Sequence, residues 1–212
     1  MPALRPGLAL TLLAAPALAG GGRALDEAAV LSVLNAVRQN PGGYADFLRR
    51  AADGYQNNAY VERDGTEHAT YEGTRAVEEA ARVLAAARPL PALESDPILT
   101  AAARDHAEAQ GRAGSIGHVS SAGSSPGARV RSRGGDIYVV EAISYGMRSP
   151  EAVVRQWMVD DGVVGRGHRK LLMTGFYRYA GIWCGPHAGR TTMCVIDLSA
   201  TPGGRPVVPA ER

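Results

Sequence analysis

Residues 149–173 read SPEAVVRQWMVDDGVVGRGHRKLLM, and residues 179–200 read YAGIWCGPHAGRTTMCVIDLSA. The two stretches carry different periods, and that difference decides the fold class. Ser149 is a helix cap and Pro150 a first-turn proline. Val153, Val154, Trp157 and Met158 then share one face of the helix they open. Asp160 and Asp161 end it, and the glycine-rich GVVGRGHRK follows. The second stretch alternates as strands do, and Cys184 and Cys194 flank a Gly/Pro-containing centre. That spacing predicts a hairpin whose sulfurs face each other across the ladder. It is not CxxC, so a structural disulfide fits better than a metal pair or a redox couple.

Upstream the pattern is helical. Residues 25–40 form an amphipathic helix that ends before Pro41, and Tyr44–Ala52 form a short second one. Arg75–Ala87 place Val77, Ala80, Ala81 and Leu84 on one face. Asp96-Pro97 opens a further helix that is expected to stop at Gly111. Residues 53–74 read as a polar surface excursion, with a short hairpin as one option, and 111–136 as a Gly/Ser-rich loop or several turns. Arg129, Arg131 and Arg133 alternate there; a phosphate-binding strip is one reading, and a solvated face is favoured. Ile137–Ile143 is an apolar run that fits a helix or a strand. Helices and strands are segregated along the chain, which predicts an α+β arrangement.

The first nineteen residues combine Arg5, an apolar run over 8–15 and Ala17-Leu18-Ala19 in the order of a secretory signal peptide. The expected organisation is a signal peptide over 1–19, a single domain over 20–200 and a C-terminal tail over 201–212. The product is exported, to the periplasm or the medium. No later stretch is long and apolar enough to span a bilayer. The 212 residues carry 23 basic and 21 acidic side chains, a net charge of +2. So balanced a chain has no global field to attract nucleic acid or anionic lipid.

Five histidines lie beyond the leader. His68 reads as solvated, and His187 as an exposed residue of the hairpin turn. His106 points to the core side of its helix, where a bond to a backbone carbonyl is expected. His118 and His168 stand in the glycine-rich loops SIGHVSS and GRGHRKL, which are free to bring an imidazole into a cleft. Glu141 is embedded in the apolar run YVVEAISYG, where a carboxylate must be paired or must line a cavity. Asp160 and Asp161 sit at a helix C-terminus, against the helix dipole, so another partner is expected, and a histidine is the natural one.

In order and spacing, the blocks LNAVRQNPGGYADFL, LPALESDPILTAAARDHAEAQG, SIGHVSSAG, VVEAISYG, the stretch 149–173 and the closing hairpin resemble the CAP domain. That is the superfamily of cysteine-rich secretory, antigen 5 and pathogenesis-related 1 proteins, and the likeness is to its bacterial secreted branch. The resemblance implies a three-layer α-β-α sandwich with a central antiparallel sheet. It also implies a cleft carrying two histidines and two acids, which fall here on His118, Glu141, Asp160 and His168. Val140 and Ala142 replace the family's glycine and asparagine around Glu141. Aspartate replaces the commoner glutamate at 160, with Asp161 an adjacent rival.

Two imidazoles and two carboxylates suit a divalent ion such as zinc. His118 and His168 are the candidate ligands, with the acids as direct ligands or as partners that fix the histidine tautomers. The resemblance implies lipid or sterol binding in some members and proteolysis in proposals for others. A binding module for a small molecule, lipid or metal ion ranks first. A structural or interaction protein ranks next, and a metal-dependent, peptidase-like hydrolase last. HExxH and GxSxG are both absent.

Overall fold

The computed structural model describes residues 25–56, 58–61, 65–120, 123–207; the expected signal peptide lies outside them. Asp26 caps α1 (Glu27–Gln39) by accepting from the backbone of Ala28 and Ala29. Asn40 ends α1 and caps α2 (Pro41–Ala51) through Gly43 N–H, with Pro41 in the first turn. A small antiparallel sheet follows, β1 (Tyr55–Gln56), β2 (Ala59–Val61) and β3 (Glu67–Ala69). Then come α3 (Thr74–Ala86), β4 (Glu94–Ser95) and α4 (Pro97–Ala113). The second half is α5 (Pro126–Ser132), β5 (Val140–Tyr145), α6 (Pro150–Val159), α7 (Gly167–Leu172), β6 (Tyr179–His187) and β7 (Thr191–Ser199).

The main sheet runs β4-β6-β7-β5 and is sandwiched between helices. Its even-numbered residues on β5–β7, among them Ala142, Ile182, Ile196 and Leu198, join α1, α2, α3 and α6 in the larger core. Its odd-numbered residues Ile143, Trp183, Met193 and Val195 pack against Ala103 and Ala107 of α4. The α+β, α-β-α reading therefore holds. One detail differs from the expected antiparallel sheet: β4 pairs with β6 in parallel. The long α4–α7 crossover between them leaves that direction available.

Burial on both faces explains why the run before residue 143 was ambiguous. Residues 141–144 of β5 are buried without alternation, so periodicity had nothing to report. Helix α4 passes Gly111 and ends at Gly114, whose φ is +66°. Gly111 is instead a packing residue: a Cβ there would collide with the Pro186 carbonyl.

The stretch read as loop contains α5, capped by Ser125 with Pro126 in its first turn. The tail begins later than residue 201. Gly203 and Gly204 are buried, and Gly203 N–H donates to Asp96 Oδ2 at 2.8 Å. The hairpin is as expected: Cys184 and Cys194 are directly paired across β6 and β7 and joined by a disulfide. His187 is not exposed. It closes β6, is buried, donates from Nε2 to Ser115 O at 2.7 Å and accepts at Nδ1 from Gly189 N at 3.1 Å.

Candidate functional site

One edge strand of the main sheet is β5, and a cavity of about 320 Å³ opens beside it. His118 comes from the loop after α4, on one side of the sheet. His168 comes from α7, on the other. Both line this cavity, together with Ile143 and Tyr145 of β5 and Trp157 of α6. The excursion over 53–74 is more than a surface hairpin: Tyr55, Tyr60 and His68 of the small sheet form the far wall. His68 is thus half-buried rather than solvated.

Each loop histidine is held by one acid. His118 Nδ1 donates to Glu141 Oε1 at 2.9 Å, and His168 Nδ1 donates to Asp160 Oδ1 at 2.6 Å. Both Glu141 and Asp160 are buried. With Nδ1 committed, each ring's Nε2 is the atom left for a ligand.

Asp160 answers the question raised by its place at a helix end. It adopts a left-handed conformation, φ +56°, and terminates α6. That turn swings its carboxylate onto the start of α7, where Oδ2 accepts from His168 N at 2.9 Å and Arg169 N at 3.3 Å. One residue thereby ends one helix, caps the next and orients a histidine. Asp161, the rival, is committed elsewhere: its two oxygens accept from the backbone N–H groups of Tyr71 and Glu72.

The loop between α6 and α7 is locked from α3. Arg169 donates to both oxygens of Glu79 at 2.6 Å and to Met158 O. Arg166 bridges Glu72, Glu79 and Asp160 O. Its hydrogen bond, helped by Gly162 N–H, holds the Glu72 carboxyl down at about 2.

Arg129 was missed as a site residue. It is buried, in contrast to the solvated face expected of the alternating arginines, and donates to Glu141 Oε2 at 2.5 Å and to the carbonyls of His118 and Ser124. Only the register of α5 separates it from Arg131 and Arg133, which pair with Asp136 and Asp105 at the surface. A buried guanidinium needs such partners.

A second set of polar groups fixes the residue before His118. His106 Nε2 and Gln110 Nε2 both donate to Gly117 O, and Gly117 N donates to Tyr145 Oη, which donates in turn to Gln110 Oε1. The expected carbonyl bond of His106 is therefore present. Burial pushes its imidazole pKa down, against the opposing charge of Glu141.

The family model described as "CAP: Cysteine-rich secretory protein family" matches residues 31–198. The chain belongs to the cysteine-rich secretory protein family. That match spans all the blocks that position the cavity in this CAP domain. No curated protein matches the chain. An outer surface protein from Borrelia burgdorferi is similar at 20% identity, over 51% of this chain and 77% of that one, with a TM-score of 0.43. An extracellular protein containing an SCP domain from Bacillus anthracis is similar at 16% identity, over 59% of this chain and 37% of that one, also at 0.43.

Among the described residues, no group of three or more His, Cys, Asp or Glu side chains is arranged to hold a metal ion. The acids face Nδ1 of the histidines, so the imidazole atoms left open to an ion in this CAP cleft would be the two Nε2 nitrogens. Neither cysteine is free, and among the described residues no serine lines the cavity. Among the described residues, no helix is long and apolar enough to cross a membrane.

Proposed function

We propose that this CAP domain is an exported binding module whose cleft takes a small amphipathic molecule of the lipid class. The observation that supports the reading most is the composition of one cavity. His68, His118, His168, Arg155 and the acids Asp160 and Asp161 supply its polar groups, and Tyr55, Tyr60, Ile143, Met147 and Trp157 supply apolar and aromatic walls. A pocket with mostly apolar lining and a few fixed polar groups is the usual form of a small-molecule site. The disulfide fits an oxidising compartment, periplasm or medium. The test is titration of delipidated protein with a dansyl-labelled fatty acid. Saturable binding in the wild type is expected, lost when Val163, which also lines the cavity, is enlarged in Val163→Trp. No saturable binding would sink the reading.

A second reading is a divalent ion such as zinc, favoured by one observation: both Nδ1 atoms are held by buried carboxylates, the arrangement that orients ligating histidines. His118 and His168 would hold the ion through Nε2, with Glu141 and Asp160 behind them. Bound there, it would polarise a ligand or a water. Metal analysis after dialysis against zinc separates the cases. Zinc retained by the wild type and lost in the double variant His118→Ala/His168→Ala supports it. A wild type that retains none removes the metal, and the peptidase-like alternative with it.

A further inference from the structure

Behind Glu141 lies an acid that the cleft chemistry has not yet used. Asp197 of β7 is paired in register with Glu141 of β5 on one side and with Gly181 of β6 on the other. Its exposure is 0%. Neither of its oxygens accepts a hydrogen bond from any N–H or O–H among the described residues. The β6 side offers no side chain, because the Gly181 position is filled by the backbone of α4 at Leu99 and Thr100. Its directly opposite neighbour Glu141 projects from the same face of the sheet, so the two carboxyls stand side by side.

Two carboxylates cannot share a dry contact as anions. Among the described residues, the charges around them number one fixed cation. Arg129 of α5 is bound to Glu141 Oε2. His106 of α4 lies with Nε2 3.9 Å from Glu141 Oε1, but that nitrogen already donates to Gly117 O. His118 donates to the same Oε1. Glu141 thus has its charge balanced and two donors in place, and each of its oxygens can accept once more. Asp197 has no cation of its own and no donor, so a proton on its own carboxyl satisfies both groups at once.

We propose that Asp197 is a positioning residue for the His118 side of the cleft, keeping its proton in the folded protein and donating it to Glu141. Glu141 is then fixed by three donors, Arg129 on α5, Asp197 on β7 and the His118 ring in the loop after α4, and its orientation sets that of the imidazole. Burial first, then the charge of Glu141, pushes the Asp197 acid well above the usual carboxylate range, with Arg129 opposing. The importance of this for binding rests on the cleft reading above, but its test requires no ligand, so the two can fail separately.

Infrared difference spectra of wild type against Asp197→Asn at pH 7 are expected to show the carbonyl band of a protonated carboxyl in the wild type alone. Its absence overturns the proposal. The stability profile gives an independent sign. The unfolded chain releases this proton above about pH 4 while the folded one keeps it, so wild type loses stability as pH rises. The unfolding midpoint of Asp197→Asn should therefore gain on wild type from pH 4 to pH 8; a constant difference counts against the proposal. Positioning is read from the His118 ring signals by NMR. Asparagine retains a donor and should leave them in place, whereas Asp197→Val should shift them. Equal shifts in both variants, or none in either, overturn the positioning role.

Discussion

Single side chains at this cleft are defined by the partners that occupy them. His118 and His168 each have one nitrogen spoken for by a buried acid, and that leaves the other with a defined direction. His106 shows the opposite case, a buried histidine whose Nε2 is spent on the Gly117 carbonyl and whose Nδ1 has no partner among the described residues. Burial lowers its pKa in the folded protein, and the charge of Glu141, 3.9 Å from its Nε2, opposes that shift without reversing it. The unfolded chain protonates this ring below about pH 6.5 and the folded chain resists, so stability falls as pH drops through that range. The variant His106→Gln keeps a donor for Gly117 O and cannot titrate. Its unfolding free energy from urea titration should fall less than the wild type's between pH 7.5 and pH 5, by up to about 1.4 kcal/mol per pH unit. Parallel losses in the two proteins would contradict this account. His106 was legible because its helical register alone placed it inward. Arg129 was not, because nothing in an alternating arginine run shows which one a seven-residue helix will bury.

At the level of elements, the well-read parts are those with local signals. Asp96-Pro97 and Ser149-Pro150 mark helix starts where the structure has them. Ser125-Pro126 carries the same signal, but α5 is short and buries chiefly Gly127, Arg129 and Val130, so no apolar stripe supported it. The β6–β7 hairpin was legible from its cysteines and turn. Its disulfide closes a separation of 10 residues, with the sulfurs on the larger-core face. Constraining so short a loop contributes about 2–3 kcal/mol, chiefly through the unfolded state. The double variant Cys184→Ala/Cys194→Ala should lower the unfolding free energy by about that amount while keeping the far-ultraviolet circular dichroism of the wild type. An unchanged midpoint would show that the bridge adds nothing to stability.

On the scale of the whole molecule, the cleft exists because the two sides of the sandwich end at the same sheet edge. His118 arrives from the α4 side and His168 from the α6–α7 side, with β5 between them. Long-range clamps keep that edge in place. Arg38 of α1 is fully buried and donates to the carbonyls of Pro91, Leu172, Thr174 and Tyr177, tying the end of α7 and the approach to β6 to the larger core. Buried carbonyls left without a donor cost about 1–3 kcal/mol each. Arg38→Ala should therefore destabilise the fold by about 3 kcal/mol or more in chemical denaturation; a loss under about 1 kcal/mol would mean that water replaces the guanidinium without penalty. The sequence by itself determined the segregated helices and strands, the disulfide hairpin, the family and the candidates His118, Glu141, Asp160 and His168, because caps, periodicity and motif order act over a few residues at a time. Only the tertiary structure decided that Asp160 rather than Asp161 holds His168, that Arg129 and Asp197 stand behind Glu141, and that His187 is buried. Those outcomes depend on strand register and helix packing between segments far apart in the chain, where a buried charge finds its partner or a carboxyl faces another.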